Sequence, residues 1–189
     1  MIGCIIKPFP NKTYDVVYAD PPWKYKFTSP TGSKRPNYVN GVEDYYPTLT
    51  IDQIWALPVR KISNHNSVLF LWATNPLLPE AIETVAKWGF KYKTCLTWHK
   101  ENCKGPGYWF RGHTEHLLLG VKGKVAAFHS LEHNIKKIPV GKHSEKPDYY
   151  RKLIESISPN STRIELFARA KHGNGWDVWG NEAEGSVDK

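Results

Sequence analysis

The chain has 189 residues, 40% of them hydrophobic, which is enough to close one full core without a second domain. Its three cysteines, Cys4, Cys95 and Cys103, are odd in number and lack Cys-x-x-Cys spacing, which argues against a disulfide framework and for a reducing compartment. No apolar run nears the ~20 residues of a membrane span, no signal peptide opens the chain, and the net charge of +8 points to an anionic partner, nucleic acid first.

Residues 3–6 read as a short strand, stopped by Pro8 and Pro10. A second strand follows from Tyr14, with Val16, Val17 and Ala19 as its apolar run. Asp20-Pro21-Pro22-Trp23 ends it abruptly, because two prolines remove two ladder donors and fix φ. Such a stiff turn at a strand's C-terminal end lies where open α/β sheets bind ligands. It offers a carboxylate, proline carbonyls and an indole face, which together suit a flat base carrying an exocyclic amine. The bland alternative is an Asx-Pro turn after a core strand.

Residues 24–47 are long, irregular and basic, with Lys24, Lys26, Lys34 and Arg35. They read as a lid over a base pocket with an edge for phosphate, or else as a surface excursion. Thr50 caps a short helix through Ile51, Ile54 and Trp55, stopped by Pro58. Ser67–Ala73 is an unbroken apolar strand, buried on both faces as in a parallel sheet, with Trp72 near its end. Pro79 starts a helix whose Ala81, Ile82, Val85 and Trp88 share a face, and Gly89 stops it. Tyr92–Trp98 is the next strand.

Residues 100–113 gather Tyr108, Trp109, Phe110 and Arg111 among glycines. Aromatics beside cations suit single-stranded nucleic acid, although an aromatic plug over the core edge would look the same. His113 and His116 have no cysteine or carboxylate cluster to complete a metal site. Glu115–Val121 is a strand, with residues 120–123 as the turn after it. Residues 129–143, with Lys136 and Lys137, read as a third basic loop. Ser144 caps a helix with Pro147 in its first turn and Tyr150, Leu153, Ile154 and Ile157 as its core stripe. Thr162–Ala168 is a strand, and 176–181 return to the sheet. On this reading Lys34, Arg35, Lys136 and Lys137 frame the pocket mouth and grip phosphates. No Gly-x-Gly-x-x-Gly appears, so a dinucleotide site loses its main support.

Asp-Pro-Pro-Trp at 20–23 resembles the signature of N(6)-adenosine methyltransferases of the mRNA-methylating kind and their bacterial and phage DNA relatives. Leu-Phe-Leu-Trp at 69–72, Gly-Val-Lys-Gly at 120–123, Lys146-Pro147-Asp148 and Ile-Glu-Leu-Phe-Ala-Arg at 164–169 follow in the family's order. The resemblance spans about Tyr14 to Glu182. It implies a Rossmann-like α/β methyltransferase fold with a mostly parallel sheet and permuted motif order, as one domain over 1–189, using S-adenosyl-L-methionine. Asp20, Pro21, Pro22 and Trp23 would be catalytic, with Asp20 also at the cofactor. Lys146 would meet the methionine carboxylate, at a helix start that also favours an anion. Arg169, Asn181 and Glu182 would lie at the ribose. Lys171 and His172 occupy the places where relatives carry His-Asn. Tyr46 and Trp72 would lie beside the base.

The reaction implied is methylation of the adenine N(6) amine. Cytosine N(4) methylation, which more often goes with Ser in place of Asp20, and an inactive nucleic-acid-binding subunit are the alternatives. The compact chain favours DNA of a bacterium or phage over RNA, and hence a cytoplasmic protein, or a nuclear one if eukaryotic. A homodimer or a partner subunit is expected from the relatives, and no membrane.

Overall fold

The computed structural model describes residues 8–24, 48–103, 109–128, 130, 132–141, 145–170, 173 and 175–180. Its centre is a seven-stranded sheet in the order β5-β3-β4-β2-β1-β6-β7. The strands are β1 Tyr14–Ala19, β2 Ser63–Thr74, β3 Lys91–Glu101, β4 Thr114–Lys122, β5 Ile135–Pro139, β6 Arg163–Leu166 and β7 Trp176–Trp179. β1 runs parallel to β2 and to β6, β6 to β7, and β3 to β5, whereas β4 is antiparallel to both its neighbours. The sheet is therefore mostly parallel, as expected.

The helices divide between its faces. Short α1 (Ile51–Trp55) and α2 (Val59–Ile62) precede β2. Thr50 caps α1 through a reciprocal pair with Gln53, which satisfies two donors at the helix start. A 3₁₀ turn at Asn75–Leu77 leads into α3 (Leu78–Lys87). Val17, Ala19, Leu69, Leu71 and Leu118 bury one side of the sheet against Ala81, Val85 and Trp88. Val16, Tyr18, Val68, Phe70, Trp72, Trp98 and Leu117 bury the other against Tyr150 and Ile154 of α4 (Asp148–Ile157). The strict alternation along β1 and β2 is the pleat expressed as two cores.

Several expectations shift. Ile82 is exposed and Thr84 takes its place on the buried face of α3, while Gly89 does terminate the chain's turn there at φ +87°. β4 continues through Gly120 to Lys122, so the turn begins later than expected. The 129–143 stretch contains β5, not only loop. Burial alternates along Ile135–Pro139, with Lys136 and Ile138 half-buried and Ile135 exposed, an edge-strand pattern that the residue order Ile-Lys-Lys-Ile does not display. α4 starts at Asp148, with Pro147 as its cap, so Lys146 precedes the helix. The expected 3–6 strand and Ser144 lie outside the described residues. Among the described residues no helix is long and apolar enough to cross a membrane.

Candidate active site at the strand ends

Strand parity decides which side chains meet. On β1, Val16 and Tyr18 face the α4 side, so Asp20, two residues on, faces it too. On β2 the same face carries Phe70, Trp72 and Thr74; on β4, Glu115 and Leu117; on β3, Trp98 and Lys100. Pairing brings them level: Tyr18 opposes Phe70, Trp72 opposes Leu117, and Thr74 and Trp98 both oppose Glu115. Lys146 arrives from the segment before α4.

The result is a chain of alternating charge. Lys100 Nζ donates to Glu115 Oε1, and Lys146 Nζ lies 3.4 Å from Glu115 Oε2 and 2.8 Å from Asp20 Oδ2. The Lys146 and Glu115 side chains are only 16% and 12% exposed, against 31% for Asp20. Burial pushes the Asp20 carboxyl above its usual range. The Lys146 ammonium opposes that rise, as does Arg169 more weakly, and Glu115 adds to it. Burial would lower Lys146, but its two carboxylates more than reverse this and hold it protonated. Lys146 also stands over the Trp72 ring, 5.5 Å from its centroid, where the aromatic face favours a cation.

The turn itself is tightly bonded. Trp23 N–H donates to the Pro21 carbonyl at 2.8 Å and Leu49 N–H to the Pro22 carbonyl at 2.9 Å. Each proline carbonyl keeps a second lone pair. Lys24 N–H donates to Leu49 in return, so the two ends of the 24–49 excursion lie side by side. Trp23 is the residue expected to offer an indole face to a base. It is 6% exposed, and its Nε1 donates to the Trp72 carbonyl at 3.1 Å. Its role in this structure is to clamp the turn onto β2. Trp72 is fully buried, bonded through Nε1 to Tyr18 Oη at 2.7 Å and edge-on to Tyr150. It forms the floor beneath Lys146.

Beyond β6 the chain kinks. Phe167 adopts φ +65°, a conformation that a side chain other than glycine rarely takes and that clusters at functional sites. Ala168 N–H then bonds to the Trp179 carbonyl at 3.1 Å. A Cβ on Gly180 would lie 2.2 Å from the Ala168 carbonyl oxygen, so this crossing requires glycine. Exposed Arg169 follows the kink, and its charge weakly lowers the Asp20 carboxyl.

Reading the sequence alone missed Glu115 and Lys100; the available signal was the parity of Glu115 with Leu117 across from Trp72. Tyr46, Lys34 and Arg35, and Lys171, His172, Asn181 and Glu182, lie outside the described residues. Lys136 and Lys137 sit on edge strand β5, bonded to Glu132 at 3.4 Å and Glu101 at 3.1 Å. His116 is held between Thr97 Oγ1 and Asn75 Oδ1, which suits a neutral ring, and burial lowers its pKa further. Among the described residues no His, Cys, Asp and Glu group could hold a metal.

The donor set fits a zwitterionic ligand such as the methionine end of S-adenosylmethionine. Lys146 is a buried cation suited to a carboxylate. Asp20 and Glu115 are acceptors for an ammonium. Thr74 Oγ1 is buried with no hydrogen-bond partner, and Glu115 Oε2 is buried with the Lys146 ammonium 3.4 Å away.

A mostly parallel sheet, with Asp-Pro-Pro-Trp at the end of a central strand and a basic group delivered from a later segment, is consistent with the Rossmann-like methyltransferase fold of permuted motif order that the resemblance implies. Residues 14–182 match the MT-A70 family, and the chain belongs to it. It is 34% identical over 191 residues to the type II methyltransferase M.MunI from a Mycoplasma species, covering 94% of this chain and 81% of that one. It is 30% identical over 181 residues to the N(6)-adenosine-methyltransferase catalytic subunit METTL3 of Homo sapiens, covering 91% of this chain but 28% of that protein. An N(6)-adenosine-methyltransferase MT-A70-like protein of Arabidopsis thaliana is 28% identical over 195 residues, at 97% and 26%. The chain thus spans most of the bacterial relative and about a quarter of the other two.

Proposed function

We propose that this chain methylates the exocyclic N(6) amine of adenine in nucleic acid, using S-adenosylmethionine. The observation that carries the reading is the Asp20 carboxylate, held at the end of β1 by Lys146 at 2.8 Å, whose ammonium stands over the buried Trp72 ring. DNA is the first candidate substrate, because the bacterial type II methyltransferase is matched over 81% of its length and METTL3 over 28%.

Lys146 and Arg169, with Asp20, would hold the cofactor's methionine and ribose groups. When bound, the cofactor supplies an electrophilic methyl group. The adenine amine is a poor nucleophile, because its lone pair is delocalised into the ring. Asp20 and a proline carbonyl accept its two N–H bonds and favour a tetrahedral nitrogen, which localises that pair. The amine becomes acidic only as it is alkylated, so no strong base is needed. A partly buried carboxylate with a raised pKa can stabilise the developing positive charge and take the proton. In a duplex the base would have to leave the stack first.

The test is incubation with isotopically labelled cofactor and either DNA or RNA, followed by nucleoside mass spectrometry. Labelled N(6)-methyladenine is expected in the DNA arm. Label in the RNA arm alone would reassign the substrate, and no label in either, with cofactor bound by calorimetry, would reassign the chain as a supporting subunit.

A further inference from the structure

We propose that Trp109 and Phe110 form a stacking platform that grips the nucleotides flanking the target base. This rests on the nucleic-acid reading above and gives that substrate a second point of contact. Trp109 is 86% exposed and Phe110 is 89% exposed, whereas Trp23, Trp72, Trp88, Trp98, Trp176 and Trp179 are all buried. The pair is therefore no plug over the core edge. Large aromatic rings carry on the order of 150–250 Å² each, and leaving two neighbours in water marks a contact surface.

Their position ties them to the site. β3 ends at Glu101, and Asn102 turns the chain in the left-handed region at φ +57°. Lys100 N–H donates to the His113 carbonyl at 2.8 Å, Cys103 Sγ lies 3.8 Å from the Gly112 carbonyl, and the His99 and His113 rings stack. These contacts pin the stem where β3 meets β4, at the same sheet end as Lys100 and Glu115. Phe110 and Trp109 are five and six residues before Glu115. Even a fully extended chain keeps them within about 20 Å of it, a few nucleotides along a strand.

The occupant that fits is a nucleic-acid strand. Exposed Arg111 follows the pair directly, and the chain carries a net charge of +8. Rings beside a cation accept any base by stacking while the cation meets phosphate. When a target base leaves the stack its neighbours lose a stacking face, and an aromatic ring can replace it.

The test is binding of fluorescein-labelled, mixed-sequence oligonucleotides (single-stranded DNA, the same sequence as duplex, and single-stranded RNA) by anisotropy across a salt series. Trp109→Ala/Phe110→Ala should weaken binding of at least one probe by about fivefold or more, the worth of one stacked base. The salt slope should stay unchanged, because stacking releases no counterions. Trp109→Phe should retain most of the affinity, and S-adenosylmethionine affinity should hold in every variant. Unchanged affinity for all three probes would overturn the proposal. So would a double variant whose wild-type parent sediments as a dimer and which itself sediments as a monomer, since the pair would then bind a second copy. None of these readouts needs methyl transfer. Ring-dependent binding by a chain that methylates nothing would sink the proposed function and leave this inference standing.

Discussion

The Lys146 ammonium stands 2.8 Å from the Asp20 carboxylate, across 126 positions of chain, and shares itself with Glu115. Asp20 is raised by burial and by Glu115 and is lowered by Lys146. If turnover needs Asp20 ionised, the acid limb of kcat/KM should lie above the ordinary carboxylate range. Lys146→Met removes the lowering charge and should move that limb to higher pH, read at saturating cofactor. Glu115→Gln removes a raising charge and should move it to lower pH. The two shifts are opposite in sign, and finding both limbs at the wild-type position would separate Asp20 from the titration.

Asp20→Ala should lower kcat by about a hundred- to a thousandfold, the scale of losing one positioned group that stabilises developing charge. The residue follows a strand and lies outside both cores, so the thermal midpoint should move little. Near-wild-type turnover in this variant would dismiss the mechanism.

Much of this site was legible because its chemistry is local in sequence. Asp20-Pro21-Pro22 announces a strand end by proline chemistry alone, and the apolar runs at 16–19 and 67–73 announce buried parallel strands. What escaped was set by tertiary structure. Glu115 is one of three polar residues, with Thr114 and His116, at the head of an apolar strand, and only its register against Trp98 and Thr74 brings it to the candidate site. Trp23 reads as a stacking face until the turn folds it onto the Trp72 carbonyl. β5 hid behind its lysines, since an edge strand alternates weakly and charge suggests a loop. The strain at Phe167 has no local cause in the sequence. It sits where Ala168 N–H bonds across to the Trp179 carbonyl, a tertiary pairing that the sequence does not announce.

Tyr18→Phe should destabilise the fold by about 1–3 kcal/mol. Tyr18 is 4% exposed, its hydroxyl stays protonated because burial holds its pKa well above the usual value, and it accepts the Trp72 indole N–H at 2.7 Å. The substitution removes that acceptor and leaves the N–H buried without it. Chemical denaturation should report the loss as a lower midpoint at an unchanged slope. Equal midpoints would mean that Trp72 finds another acceptor.

Gly180→Ala should cost more than a surface substitution, because its methyl would meet the Ala168 carbonyl oxygen at 2.2 Å and the Ala168 nitrogen at 2.8 Å. Backbone on both sides must move apart, and the kink that carries Arg169 moves with it. Weaker cofactor binding is expected beside lower stability, and calorimetry at a temperature where the variant remains folded separates the two. Cofactor affinity equal to wild type would show that the kink does not position the cofactor site.

Edge strand β5 offers phosphate two cations. Lys136 and Lys137 leave it on opposite pleats. Lys136 lies toward Glu132 and the Tyr149 ring, and Lys137 toward Glu101. Exposed ion pairs of this kind are weak, so a phosphate can displace the carboxylates. If the strand grips substrate, Lys136→Gln/Lys137→Gln should reduce the slope of log affinity against log salt by about 1–2, near one for each phosphate no longer neutralised. Cofactor affinity should hold, since no cofactor group is placed at β5. Removing the carboxylates instead, as Glu101→Gln/Glu132→Gln, frees both ammonium groups and should strengthen nucleic-acid binding at low salt. A slope that stays fixed in the lysine variant, with no gain in the carboxylate variant, would assign the two pairs to holding β5 on the sheet edge and leave the phosphates to other cations.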